Sequence, residues 1–344
     1  MLISVTGSLF SYLLWSQSLT FSVFVWSRVL GGLSKASVSI ATAVIADICG
    51  TAHSGKGMAC IGVSFSVGFL IGPSIGAYFA SRARLAAATG GASGPAAFYF
   101  GTPAHFAAAL TVLELLVIWF FLPETLPEEK RKTSLKEIAE QASNFVNPSS
   151  LFQFLPVQKD LSKSSLKTLQ GLGSVYFLYL FLYSGLEFTL TFLTHEKFGY
   201  DSIQQGRMYF FTGLIMVTIQ GGYVRRIPVA RQLKAAQAGL CCIVPAFVLI
   251  GLASDQKLLY SGLTLFSLGS GIVVPCLSAL VSSHGSESDK GAIMGVFRSL
   301  GALARAVGPL IAAAVFWCVG PQICYVIGGV LLTVPYLMLK KLNV

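Results

Sequence analysis

The chain has 344 residues, of which 54% are hydrophobic and only 11% charged, and its mean hydropathy is +0.72. So little charge excludes a water-soluble fold, in which about a quarter of residues are charged. The formal net charge of +10 suggests nucleic acid in a soluble protein but basic loops on one face in a membrane protein, so the placement of the charges decides between them.

A bilayer core about 30 Å thick takes roughly 20 mainly apolar residues per helix. The first such run, 1–17, starts at Met1 with no basic segment before it and no small-residue cleavage site after it, and is expected to be mature structure, not a signal peptide. The second, 19–48, contains Arg28, Lys35 and, near its end, Asp47. The third, 57–80, carries Gly68, Gly72, Pro73 and Gly76; glycines four apart line one helix face and predict a close packing seam, with a kink at Pro73. The fourth, 103–123, contains Glu114.

Pro123 to Gln170 is the one long polar stretch and carries seven basic residues. It divides the chain into a helix bundle over 1–123, a loop over 124–168 and a second bundle over 169–344. Within it Ser134-Leu-Lys-Glu137 has capping-box form and is followed by Ile138, Ala142 and Phe145 at helical spacing, so this segment reads either as an amphipathic surface helix or as a disordered linker.

Six further runs follow, near 169–194, 205–224, 235–253, 258–282, 290–317 and 319–341. The first of them holds Tyr176, Tyr179, Phe181, Tyr183, Glu187 and Phe188, with His195 just beyond; the fifth holds Arg298 and Arg305. If the runs alternate in direction from a cytoplasmic start, fifteen Lys and Arg fall in the inner loops and five in the outer ones. The positive-inside rule is thereby satisfied, both termini are expected in the cytoplasm, and the basic excess needs no nucleic acid.

Two stretches repeat. Lys56-Gly57-Met58-Ala59 leads into a run ending Gly72-Pro73, and Lys290-Gly291-Ala292-Ile293 into one ending Gly308-Pro309. Weak symmetry between halves marks transporter folds built from repeats. Four runs precede the marker in the second half and two in the first, so the expected parent has six plus six helices, of which this chain starts at the third.

The motifs on these runs resemble those of the major facilitator superfamily. Gly68-x-x-x-Gly72-Pro73-x-x-Gly76 is similar to the antiporter signature of that family's fifth helix, with Gly76-Ala77 in place of a closing double glycine. Arg28-x-x-x-Gly32 resembles the fourth-helix motif, with Ser34 where a further glycine is usual, and Pro123-Glu124-Thr125 resembles the ending of the sixth. Gly221 to Arg226 resembles the second-half counterpart of the family's loop motif, with Arg225 where an acid is usual. The resemblance implies an all-α polytopic membrane protein, a major facilitator fold lacking the first two of twelve helices. It implies a monomeric carrier of organic anions or amphipathic drugs that works by alternating access in the plasma membrane or an internal one, the nuclear envelope included.

Charges inside apolar runs cost roughly 2.5 to 3.5 kcal/mol each on insertion scales and are functional candidates by default. Arg28 and Lys35, and likewise Arg298 and Arg305, are seven apart, which predicts a cationic stripe on each helix and an anionic substrate. Glu187, mid-run after Ser184-Gly185, is the candidate for proton coupling, with Glu114 the other acid deep in apolar sequence. Each has a structural alternative: Arg28 bonded to neighbouring helices, Lys35 snorkelling, Glu187 a static counter-ion, Asp47 a cap or gate, His195 an interfacial residue, and the aromatics packing.

A second functional class, a transport-inactive membrane protein acting through interaction, stays open. Motifs for an intramembrane enzyme or a nucleotide-driven pump are missing, no cofactor or metal is expected, and the seven cysteines read as small core residues.

Overall fold

The structure, a computed structural model, describes residues 1–38, 40–41, 44–45, 48, 61, 64, 67–68, 70–82, 96–125, 147–284 and 290–342. The regular elements among them are helices: α1 (Leu2–Ser16), α2 (Phe21–Ser34), α3 (70–82), α4 (Ala96–Phe121), α5 (Pro148–Phe152), α6 (Lys163–Phe198), α7 (Ser202–Gly222), α8 (Gln232–Leu252), α9 (Gln256–Ser282), α10 (Lys290–Val319), α11 (Pro321–Leu331) and α12 (Thr333–Lys341). Among the described residues six spans are long and apolar enough to cross a membrane: 101–121, 163–198, 232–252, 256–282, 291–319 and 321–341. The helices α1 and α2 are apolar but shorter than 18 residues. The expected span 205–224 is helical as α7, but Gln204, Gln205, Arg207 and Gln220 keep it out of the six.

The chain divides into two compact units, one of Met1–Ser64, Ile71–Arg131 and Asp201–Tyr209, the other of Phe65–Leu70, Lys132–Tyr200 and Phe210–Val344. In the first unit, α1 packs on α2 and α4. Serine makes the α1–α2 crossing close: Ser11 Oγ donates to the Ser27 carbonyl at 2.7 Å, and a Cβ at Gly31 would lie 2.6 Å from Ser11 Oγ. The run expected as one helix over 19–48 breaks at Lys35, whose backbone (φ −79°, ψ 77°) leaves the helical region, and resumes at Ser37. Ser4 on α1 bridges the break, donating to the Ser34 carbonyl and accepting from the Ala36 N–H. An interrupted backbone inside a membrane needs such a partner.

In the second unit α6 pairs with α10, α8 with α9, and α11 packs on α8. At 1.5 Å per residue, the 36 residues of α6 exceed the bilayer core. It begins ahead of the apolar run at 169 because Ser162 Oγ accepts from the Ser165 N–H, and it ends where Gly199 turns left-handed (φ 64°). The last part of the expected loop is also ordered: Leu151, Phe154 and Val157 are buried, Phe152 stacks edge-on against Phe177, and Gln170 Nε2 donates to the Gln153 carbonyl. Phe154 adopts φ 53°, ψ 35°, an uncommon conformation for a bulky residue, and its ring fills the space over Gly173. The expected helix 319–341 is split at Leu332, because Pro335 has no N–H to give to the preceding turn.

Candidate functional site

The two units hold different parts of the expected charge pattern. In the first, Arg28 is not open to a ligand on all sides: its guanidinium lies over Trp15 at 4.5 Å, with Tyr12 and Phe24 within 6 Å, and donates to Ser27 Oγ and Ser11 Oγ at 3.3 Å each. Planar guanidinium on aromatic faces, with hydroxyl acceptors at its edge, is a structural arrangement in its own right. Lys35 stands past the end of α2, exposed, so Arg28 and Lys35 do not form a stripe on one helix. Glu114, expected deep in apolar surroundings, is exposed on α4.

The expected glycine seam is also displaced. Among the described residues a Cβ at Gly68, Gly72 or Gly76 meets nothing within 4 Å. Close approach on this helix involves other positions: a Cβ at Gly206 would lie 2.7 Å from Ala77 Cβ in the first unit, and one at Gly213 would lie 3.1 Å from Leu70 Cα in the second. The same added Cβ at Gly206 would lie 3.6 Å from the Pro73 carbonyl oxygen. Asp47, Lys56 to Ala59, and the capping-box segment 134–145 lie outside the described residues.

The second unit holds Glu187, Arg298 and Arg305 on the paired helices α6 and α10. Here the seven-residue step does lie on one continuous helix, and each arginine is followed three residues later by a glycine, Gly301 and Gly308. Both glycines are where α6 crosses. A Cβ at Gly301 would lie 2.8 Å from the Tyr176 ring, and one at Gly308 would strike the Phe181 carbonyl and lie 2.8 Å from Ser184 Oγ. Phe297 stacks flat on Tyr176 with centroids 3.9 Å apart. The arginines are thereby held beside α6: both interact electrostatically with Tyr176, and Arg305 with Tyr179, Tyr183 and Glu187.

Tyr183 Oη donates to Glu187 Oε1 at 3.2 Å, one turn along α6. Its ring is fixed by stacking on Phe266, edge contact with Phe247 and contact with Tyr179. The hydroxyls of Tyr179 and Ser184 are buried without a hydrogen-bond partner. Such groups cost about 1–3 kcal/mol each, and in a native protein they mark positions where water or a ligand completes the bonding. Sequence reasoning placed Tyr179 and Tyr183 among the aromatics and missed that they surround Glu187; the i, i+4 spacing of Tyr183 and Glu187 was the available signal.

Of the other aromatics Phe188 is exposed, and His195 Nδ1 lies 3.0 Å from the Tyr200 carbonyl at the end of α6. Arg225 and Arg226 are exposed in the short 3₁₀ turn after α7. Among the described residues no three His, Cys, Asp or Glu side chains are grouped to hold a metal.

The sequence model for the Major Facilitator Superfamily matches residues 1–309. Over 346 aligned residues the chain is 43% identical to "Major facilitator superfamily domain-containing protein 10" of Homo sapiens, covering 100% of this chain and 72% of the relative. It is 26% identical over 317 residues to "Tetracycline resistance protein, class B" of Escherichia coli, covering 92% of this chain and 71% of the relative. The crystal structure of the human organic anion transporter MFSD10 (TETRAN) superposes with a TM-score of 0.80 at 43% identity, over 98% of this chain and 76% of that one. A POT family transporter structure matches with a TM-score of 0.67 at 15% identity, over 98% of this chain and 80% of that one, which shows the fold alone.

Proposed function

Because the chain belongs to the major facilitator superfamily, a family of transporters built as multi-pass membrane proteins, we propose that it is a secondary carrier of organic anions or amphipathic drugs, driven by protons or by exchange. The observation that carries this reading is the α6–α10 pair: two arginines on one stripe, held beside a buried tyrosine pair and a carboxylate by Gly301 and Gly308. Arg298 and Arg305 attract the anion. Arg298 is half-buried, where a cation acts more strongly than in water, and Arg305 is exposed one stripe position further along, open to an arriving anion.

Glu187 is the coupling residue, since it can exchange a proton while Tyr183 holds its orientation and Arg305 senses its charge. The unpaired Tyr179 and Ser184 hydroxyls support a polar path along α6. Arg28 supports the first bundle from within its aromatic cage and Lys35 is a peripheral attractor. The relatives' names support the substrate class, one being called an organic anion transporter and others tetracycline resistance proteins. Both termini face the cytoplasm, in keeping with the fifteen-to-five bias of loop cations, and the carrier works as a monomer within bundles 1–123 and 169–344 joined by the loop 124–168.

The test is uptake of a labelled amphipathic organic anion into proteoliposomes under an imposed pH gradient. Arg298→Ala and Arg305→Ala should raise KM at least tenfold, and Glu187→Gln should abolish the dependence on the gradient. Uptake by all three variants equal to the parent's refutes the assignment. No saturable uptake by the parent chain refutes the carrier reading itself.

A further inference from the structure

Ser270 sits in α9 between two glycines that pack on other helices. A Cβ at Gly269 would strike Ile243 of α8 and lie 2.6 Å from the Gly239 carbonyl oxygen, and one at Gly271 would lie 3.6 Å from Ile219 of α7. Ser270 itself is buried and turned to α6, where its hydroxyl is a hydrogen-bonding neighbour of Tyr183 Oη. Phe266, one turn before it on α9, stacks flat on the Tyr183 ring. Just beyond it, Pro275 has no N–H to give to the Gly271 carbonyl, so α9 bends most easily beside Ser270.

A hydroxyl has one proton to donate. Tyr183 gives its proton to Glu187 Oε1 at 3.2 Å, and Ser270 gives its own to the Phe266 carbonyl at 2.7 Å. With Glu187 ionised, neither is left for a bond between Tyr183 and Ser270. A proton on Glu187 changes this. Arg305 of α10 attracts the carbonyl oxygen of the acid and has no lone pair to accept its proton, so the O–H turns to Tyr183 Oη. Tyr179, the other titratable group facing Glu187 from α6, has its hydroxyl without a hydrogen-bond partner. From α11, Tyr325 is engaged with the Leu186 carbonyl, and α8 presents only the Phe247 ring to Tyr183. Tyr183 can then donate to Ser270 while Ser270 keeps its bond to Phe266. Three donors meet three acceptors in a line from α6 to α9.

We propose that Ser270 is the positioning residue through which α9 follows the protonation of Glu187, bonded to Tyr183 when that carboxyl is protonated and released when it ionises. The inference rests on Glu187 as the coupling residue and adds how a proton on α6 changes the hold on a second helix, next to the point where that helix bends.

Melting of the full chain in detergent tests the link without transport. Glu187→Gln stands in for the protonated acid, because its amide oxygen faces Arg305 and its N–H donates to Tyr183 Oη at any pH. At pH 9, Ser270→Ala should lower the melting temperature by about 1–3 °C more in the Glu187→Gln background than in the parent, as the loss of one hydrogen bond requires. With Tyr183→Phe added to both backgrounds the difference should vanish. In proteoliposomes, Ser270→Ala should reduce the ratio of anion uptake with a pH gradient to uptake without one by about two- to tenfold, whereas a serine that only fills space would lower both alike. Equal melting penalties in the two backgrounds, a difference that survives Tyr183→Phe, or an unchanged uptake ratio each overturns the proposal. A parent chain whose uptake ignores the gradient refutes Glu187 as the coupling residue instead, and the melting series still decides whether the Tyr183–Ser270 bond depends on residue 187.

Discussion

Replacing Gly185 by alanine would put a methyl carbon 2.6 Å from Ala312 Cβ and 2.9 Å from the Gly308 carbonyl oxygen. Carbon atoms pack at about 3.5–4.0 Å, so α6 and α10 would have to part by about 1 Å. Neither neighbouring atom can escape by changing rotamer, since one is a Cβ and the other belongs to the main chain. The expected cost is that of overpacking a close-packed interface, about 1–3 kcal/mol. Ala312→Gly relieves only the first contact, so the double variant should recover about half of the loss, a coupling on the order of 1 kcal/mol. Unfolding in detergent, followed by a thiol-reactive dye that reaches the buried Cys276 and Cys324 only as the bundle opens, reads both numbers. Parental melting of Gly185→Ala, or no recovery in the double variant, would show that α6 and α10 do not approach this closely.

Three further outcomes are expected. Tyr325 Oη donates to the Leu186 carbonyl at 2.6 Å and accepts from Thr189 Oγ1 at 3.2 Å, all buried; Tyr325→Phe should therefore cost about 1–3 kcal/mol, and adding Thr189→Val should cost less than it does alone, as a double-variant melting series will show. Phe154→Ala empties a fully buried site over Gly173 and should cost about 3–5 kcal/mol, with faster proteolysis of the 147–160 segment as the readout. Arg28→Lys keeps the charge but loses the planar contact with Trp15; it should lower stability by about 0.5–2 kcal/mol while the KM for anion uptake stays within twofold of the parent's, whereas a large KM change would make Arg28 a ligand residue.

The helical class and most membrane runs are legible in the sequence because both rest on local properties, apolar length and scarcity of charge. Boundaries are less so where a single side chain overrides hydropathy. Apolar residues continue past Ser34, yet the backbone breaks at Lys35 because Ser4 of another helix supplies the missing hydrogen bonds. The helix α6 extends the other way, into polar sequence, because Ser162 caps it. Periodicity also misjudged the glycines of the third run. Spacing shows that Gly68, Gly72 and Gly76 share a face but not whether a neighbour meets it, and the contacts observed come from Ala77 against Gly206 and from Leu70 against Gly213.

The charged residues show the same division between pattern and partner. Two pairs of cations seven apart read alike in the sequence, but only the second pair sits on an unbroken helix, and there both members are followed three residues later by a glycine at a helix crossing, where in the first pair only Arg28 is. Gly301 lets the Tyr176 ring lie across α10, and Gly308 lets the α6 main chain do so. Each arginine therefore leaves its helix about a turn from a point of closest approach, and Arg305 comes within electrostatic reach of Glu187 while the helix axis stays packed. A cationic stripe without such glycines would be held off by its own neighbours' Cβ atoms. The Arg-x-x-Gly repeat on α10 is thus a packing pattern first, and the cationic stripe follows from it. A leucine at Gly301 or Gly308 should in consequence impair anion uptake as severely as loss of the arginine itself, although neither glycine carries a charge.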